Sequence, residues 1–154
     1  MKKIHIIMLA VIVTSSLSLI YSCKKDKNKT NISQTGGTKS HNEGKNCFDC
    51  HKSGGSGLGW FTIAGTVYDS TGSSTYANAV VNIYTQQNGG GTLKTTVYGD
   101  AKGNFYTTET NDLSAGVYPA VVGTSGLVKY MHSSTTSGAC NGCHGVTVGK
   151  VWAR

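Results

Sequence analysis

Two pentapeptides carry most of the chemistry available to this chain: Cys47-Phe48-Asp49-Cys50-His51 and Cys140-Asn141-Gly142-Cys143-His144. Two thiols on a short loop, followed at once by an imidazole, form the attachment pattern of a c-type haem. Each position is needed. The thiols add across the two porphyrin vinyl groups, so they must lie together on a tight turn, and the next residue offers a ring nitrogen to the iron. Cys47, Cys50, Cys140 and Cys143 are therefore expected to form the thioethers of two covalently attached haem c groups. His51 and His144 are expected as the proximal iron ligands.

Other uses of paired cysteines fit less well. A zinc ribbon spaces its pairs roughly 15–20 residues apart, whereas most of the chain separates Cys50 from Cys140. A thioredoxin-like site needs a βαβ setting, and no helix-period segment follows either pair. Structural disulfides suit an exported chain but leave both histidines unexplained. All five cysteines are then assigned: four in the pentapeptides and Cys23 behind an apolar leader. No thiol is left over for a disulfide or a nucleophile.

The sixth iron ligands are sought among the remaining histidines. His5 falls in the leader and is discounted. His41 stands six residues before Cys47, and His132 eight before Cys140. This arrangement resembles the segments of multihaem c-type cytochromes, and the resemblance implies two imidazoles per iron. Met131 is a rival to His132, because a thioether can take the sixth position and raises the potential. Strand alternation would turn Met131 and His132 to opposite faces, so only one is expected to face the iron, and His132 is preferred. Spacing leaves open whether each distal histidine serves its own pentapeptide. Tyr130 and Trp152 flank the second pentapeptide and are expected to pack on its porphyrin.

The elements that must hold these residues read as strands. Glycine is abundant, proline occurs once, and nothing has the period of a long amphipathic helix. Runs rich in β-branched and aromatic residues cover 61–68, 79–85, 93–98, 104–108, 116–122 and 126–131, with Gly/Asp/Ser turns between them. The expected fold is all-β, an antiparallel sandwich of about seven strands, flanked by the two haem-binding segments. Gly65-Thr66-Val67-Tyr68-Asp69, Ala77-Asn78-Ala79-Val80-Val81 and Gly99-Asp100-Ala101-Lys102-Gly103-Asn104-Phe105 resemble the carboxypeptidase regulatory-like domains. The resemblance covers residues 61–122 and implies a transthyretin-like β-sandwich serving as a scaffold without catalysis. Fold analogy alone does not assign a function.

The chain opens like a secretory leader, with Lys2 and Lys3 before an apolar run and a Ser/Thr-softened end. Leu19-Ile20-Tyr21-Ser22-Cys23 resembles a bacterial lipoprotein leader, which implies lipidation of Cys23. An uncleaved membrane helix is the alternative, since the apolar stretch is just long enough to span. The expected division is a signal peptide at 1–22, a flexible polar tether at 23–40, and a first haem segment at 41–59. The β-sandwich follows at 60–131 and a second haem segment at 132–154. Formal charge is +7, but the leader lysines and the haem propionates reduce it. With no basic stripe or stacking motif, a nucleic-acid partner is not expected.

These readings converge on an exported, membrane-tethered chain facing the periplasm or cell surface. Its expected work is to pass single electrons between redox proteins, other cytochromes among them, rather than to catalyse a reaction. Self-association is left open. Two alternatives are a haem enzyme with one open iron and a surface β-sandwich binding module whose haems serve sensing or structure. The enzyme would need a distal acid/base pair, for which the chain offers few carboxylates and no spare histidine.

Overall fold

Alternation between inward apolar and outward polar side chains sets the strands. The computed structural model describes residues 27–154; the leader, its proposed cleavage site and Cys23 lie outside the described residues. Six strands are found: β1 (Ile63–Thr66), β2 (Val80–Tyr84), β3 (Leu93–Tyr98), β4 (Asn104–Thr107), β5 (Tyr118–Val122) and β6 (Val128–Tyr130). Each lies within one of the six runs read from the sequence, and a seventh strand is not formed among the described residues. The only helical elements there are three short 3-10 turns, at Cys47–Asp49, Gln87–Gly89 and Cys140–Gly142.

The strands form two antiparallel sheets. β1 pairs with β4, from Ile63 opposite Thr107 to Thr66 opposite Asn104. The other four strands are ordered β3-β2-β5-β6, with Val81 opposite Val97 on one side and Val121 on the other. On β2 every second residue is buried, so Val81 and Ile83 point inward as alternation requires. Ile63 and Phe105 from the first sheet join Val81, Ile83, Val97 and Val121 from the second in one apolar cluster. Burial of each such side chain contributes about 1.5–3 kcal/mol.

Turn chemistry fixes the connections. The Asp69 carboxylate accepts from the Thr71 amide (3.1 Å), the Thr71 hydroxyl (2.7 Å) and the Ser73 amide (3.1 Å), a side-chain-closed turn. In the same way Asp100 Oδ1 accepts from the amides of Lys102 (2.9 Å) and Asn104 (3.0 Å) and closes the turn into β4.

The two-stranded sheet leaves two outer edges, and both are covered. Along β1, the Ala64 amide donates to Gly138 O (2.9 Å) and the Thr66 amide to Asn141 Oδ1 (3.1 Å). Just beyond the strand, the Tyr68 amide donates to Val151 O (2.8 Å). The segment carrying the second pentapeptide is thereby strapped to β1, whose four residues are all buried. On the β4 side, the Ser33 amide donates to Tyr106 O (2.9 Å), and the Tyr106 amide donates to Ser33 Oγ (2.8 Å).

The polar stretch expected as a tether is thus docked from Lys27 onward rather than standing clear. Ser33 and Ser40 are buried, the Gly59 amide donates to Lys27 O (2.7 Å), and the Ala101 amide donates to Gly37 O (2.8 Å). Composition misses this because the contacts are hydrogen bonds to strand edges, which need no apolar side chain.

Candidate functional site

The two pentapeptides fold alike. In the first, the Cys50 and His51 amides both donate to Cys47 O, at 3.3 and 2.9 Å; in the second, the Cys143 and His144 amides both donate to Cys140 O, at 3.2 and 2.9 Å. Cys50 and Cys143 close their turns with similar right-handed backbone angles. Each turn gathers its two cysteines and presents the histidine as the chain leaves it. None of the four thiols is in a disulfide.

Each histidine is also oriented from behind. His51 Nδ1 lies 2.9 Å from Leu58 O and 3.2 Å from Gly59 O, and His144 Nδ1 lies 2.7 Å from Gly149 O. A ring that donates Nδ1–H to a backbone carbonyl keeps Nε2 as its free lone pair, the usual outer support of a metal-bound imidazole. The Gly/Ser stretch after His51 is the loop that makes this contact. It closes because Gly57 has no side chain: a Cβ there would stand 2.7 Å from His51 Nδ1. Phe61 stacks on the His51 ring at 4.1 Å and 11°, and Tyr106 stacks on Phe61 at 4.9 Å.

Two cavities adjoin the turns. One of about 380 Å³ is lined by Cys47, Cys50 and His51 together with His41, Lys39, Lys45, Phe61 and Tyr106. The other, of about 530 Å³, is lined by Cys140, Cys143 and His144 together with Met131, His132, Lys129, Lys150, Tyr130 and Trp152. Both fall in the usual size range for small-molecule and cofactor sites, roughly 300–1,000 Å³. Each upstream histidine shares a cavity with its own pentapeptide. The His41 and His51 rings are 6.1 Å apart, with 35° between their planes. Two imidazoles gripping one metal from opposite sides, each nitrogen about 2.0–2.1 Å away, have ring centres roughly 6 Å apart.

Met131 and His132 both line the larger cavity, which corrects the expectation that they face opposite ways. The strand ends at Tyr130, so the alternation invoked for them does not extend that far. Trp152 and Tyr130 line this cavity too, and Lys129 Nζ sits 4.0 Å over the Trp152 ring.

Burial pushes the Cys140 thiol up to about 12, with neighbouring Cys47 adding to the shift. Burial also raises Cys47, and nearby Asp49 and Cys50 add to it. The second cysteine of each turn, Cys50 and Cys143, is exposed. Among the described residues, no group of three or more His, Cys, Asp or Glu converges to hold a bare metal ion.

Sequence reasoning missed the residues that join the two turns. Asn141, between the cysteines of the second pentapeptide, is buried. Its Nδ2 donates to Lys45 O (3.0 Å) and to Thr66 Oγ1 (3.0 Å). The Thr66 hydroxyl also accepts from the Gly44 amide (2.9 Å) and donates to Asn104 Oδ1 (2.7 Å), while Asn104 Nδ2 donates to Ser40 Oγ (2.9 Å). Each side-chain nitrogen and oxygen of Asn141, Thr66 and Asn104 has a partner in this chain of contacts, and well-satisfied buried networks rigidify a fold. No helix among the described residues is long and apolar enough to cross a membrane. No family model, curated protein or solved structure matches this chain.

Proposed function

We propose that this chain is a membrane-tethered dihaem c-type cytochrome that carries single electrons between redox partners outside the cytoplasm. The observation that carries the reading is the repeated arrangement at the two cavities. Each combines two thiols on one turn, a histidine backed by a carbonyl, and a second histidine on the same cavity wall. Bound haem would supply a one-electron iron couple. Cys47 and Cys50, and Cys140 and Cys143, would hold it by thioethers. His51 and His144 would be proximal ligands, with His41 and His132 opposite them.

The chain's own contribution is to set the environment. Leu58 O, Gly59 O and Gly149 O fix the imidazole tautomers. Lys39 and Lys45 on one cavity, and Lys129 and Lys150 on the other, offer cations to the acidic propionates. Two imidazoles per iron leave no open coordination position, which favours electron transfer over catalysis and predicts lower potentials than His/Met ligation. The finer fold reading, a transthyretin-like sandwich scaffold, belongs to the same proposal, as do the lipidated Cys23 and the lipoprotein leader that would hold the domain at a membrane.

The test is the mass and spectrum of the exported protein. The expected outcome is a mass that includes two haem groups after denaturation, with sharp low-spin bands in the reduced state that carbon monoxide does not alter. A mass equal to the bare polypeptide would overturn the proposal. A spectrum that shifts with carbon monoxide would give one iron an open position and make the protein a haem enzyme.

A further inference from the structure

We propose that Asn141 is a positioning residue that latches the two attachment turns together, so that the irons held there sense each other's charge and exchange electrons within the chain. The inference rests on the dihaem reading and goes beyond it, because that reading requires only that two haems be present.

Asn141 sits inside the second turn with 3% of its surface exposed. Its Oδ1 accepts from the Thr66 amide, and one hydrogen of its Nδ2 is donated to Thr66 Oγ1. The other hydrogen of Nδ2 crosses to the first segment and is donated to Lys45 O, two residues before Cys47. Thr66 is the shared anchor, since its hydroxyl accepts from both Asn141 and the Gly44 amide. Both turns pack against β1, and the carbonyl that Asn141 holds belongs to Lys45, in the loop leading directly into the first turn. The two cavities therefore belong to a single mounting on β1.

Charges held at such a mounting interact. Coulomb energy falls with separation and grows as water is excluded, so an electron on one iron makes reduction of the other less favourable. Within the chain the step is a simple exchange. With haem held by Cys47, Cys50 and His51 and by Cys140, Cys143 and His144, each iron would supply a one-electron couple, and exchange between the two would break no bond and transfer no proton. The first electron comes from an added one-electron chemical reductant.

A structural asparagine and a positioning one differ in what their loss changes. Optical redox titrations would compare the full protein with two single-haem forms, Cys47→Ala/Cys50→Ala and Cys140→Ala/Cys143→Ala. The expected result is that the full protein titrates over a wider range than the sum of the single-haem curves. In Asn141→Ala this excess should shrink while the low-spin spectrum persists. Thr66→Val, which keeps the strand's shape but removes the shared hydroxyl, should shrink it less. Should Asn141→Ala fail to fold, Thr66→Val carries the comparison. A full-protein curve equal to the sum, or variants that keep the whole excess, would overturn the latch while leaving two attached haems in place. A bare-chain mass would instead remove the dihaem reading itself.

Discussion

At the scale of single residues, each pentapeptide ties its second cysteine and its histidine to one carbonyl, that of Cys47 or Cys140. The four pentapeptide cysteines, His51 and His144 are fixed by local pattern. Their upstream partners His41 and His132 line the matching cavities. Asn141 was not legible, because its partners Thr66 and Lys45 are 75 and 96 positions away and no short motif encodes such pairings. The sixth ligand of the second site gives the sharpest prediction at this scale. Met131 and His132 both reach the cavity, and imidazole is the better match to the arrangement at the first turn. His132→Ala should open that iron to carbon monoxide and produce a high-spin fraction in the reduced spectrum. Met131→Leu, nearly isosteric, should leave the spectrum unchanged and cost less than about 1.5 kcal/mol of stability in denaturant unfolding. The reverse pattern would assign the ligand to Met131.

At the scale of elements, β1 is the critical strand, since the first sheet, the core and the second turn all meet on it. Gly65 permits that meeting: a Cβ there would lie 2.6 Å from the Phe105 ring and 2.9 Å from Cys140 Cβ. Gly65→Ala should overpack this junction, lowering stability by about 1–3 kcal/mol in denaturant unfolding and disturbing the second site before the first. The six strands could be read from the sequence because alternation and turn residues act locally. Their pairing into two sheets could not, because register depends on partners far along the chain. Turn chemistry offers a pH test. The hydrogen bond from Thr71, with further ones from nearby amides, holds the Asp69 carboxyl below its ordinary value of 3.8. A depressed carboxyl contributes stability above its unfolded value, and that contribution is lost as pH falls through the folded value. Asp69→Asn should therefore be less stable than the parent near neutral pH, and the two should converge in strong acid. A gap that persists in acid would mean that the charge is not the stabilising feature of this turn.

At the scale of the whole molecule, the sheet that mounts both turns depends on segments from both ends of the described chain. Residues after Gly138 cover β1, while residues 27–40 cover β4, with the buried Ser33 hydroxyl standing in for a strand carbonyl. That hydroxyl accepts from the Tyr106 amide at 2.8 Å and donates to Tyr98 O at 2.6 Å. Ser33→Ala would leave the Tyr106 amide without its partner, a loss of about 1–3 kcal/mol for a buried donor. It should also speed hydrogen exchange at Tyr106 more than at amides of β2. Removing residues 27–40 altogether should have a second consequence. It uncovers the row of backbone groups along β4, and an open strand edge is a template for pairing with another chain. The shortened protein should therefore unfold at lower temperature and associate as its concentration rises, as measured by sedimentation. The reference for both measurements is a chain that begins at Lys27, which keeps every contact described for β4. Equal stability of the two truncations would mean that the polar segment is only a spacer and that β4 is closed in some other way. Loss of stability in the shorter one alone would make residues 27–40 part of the folded domain.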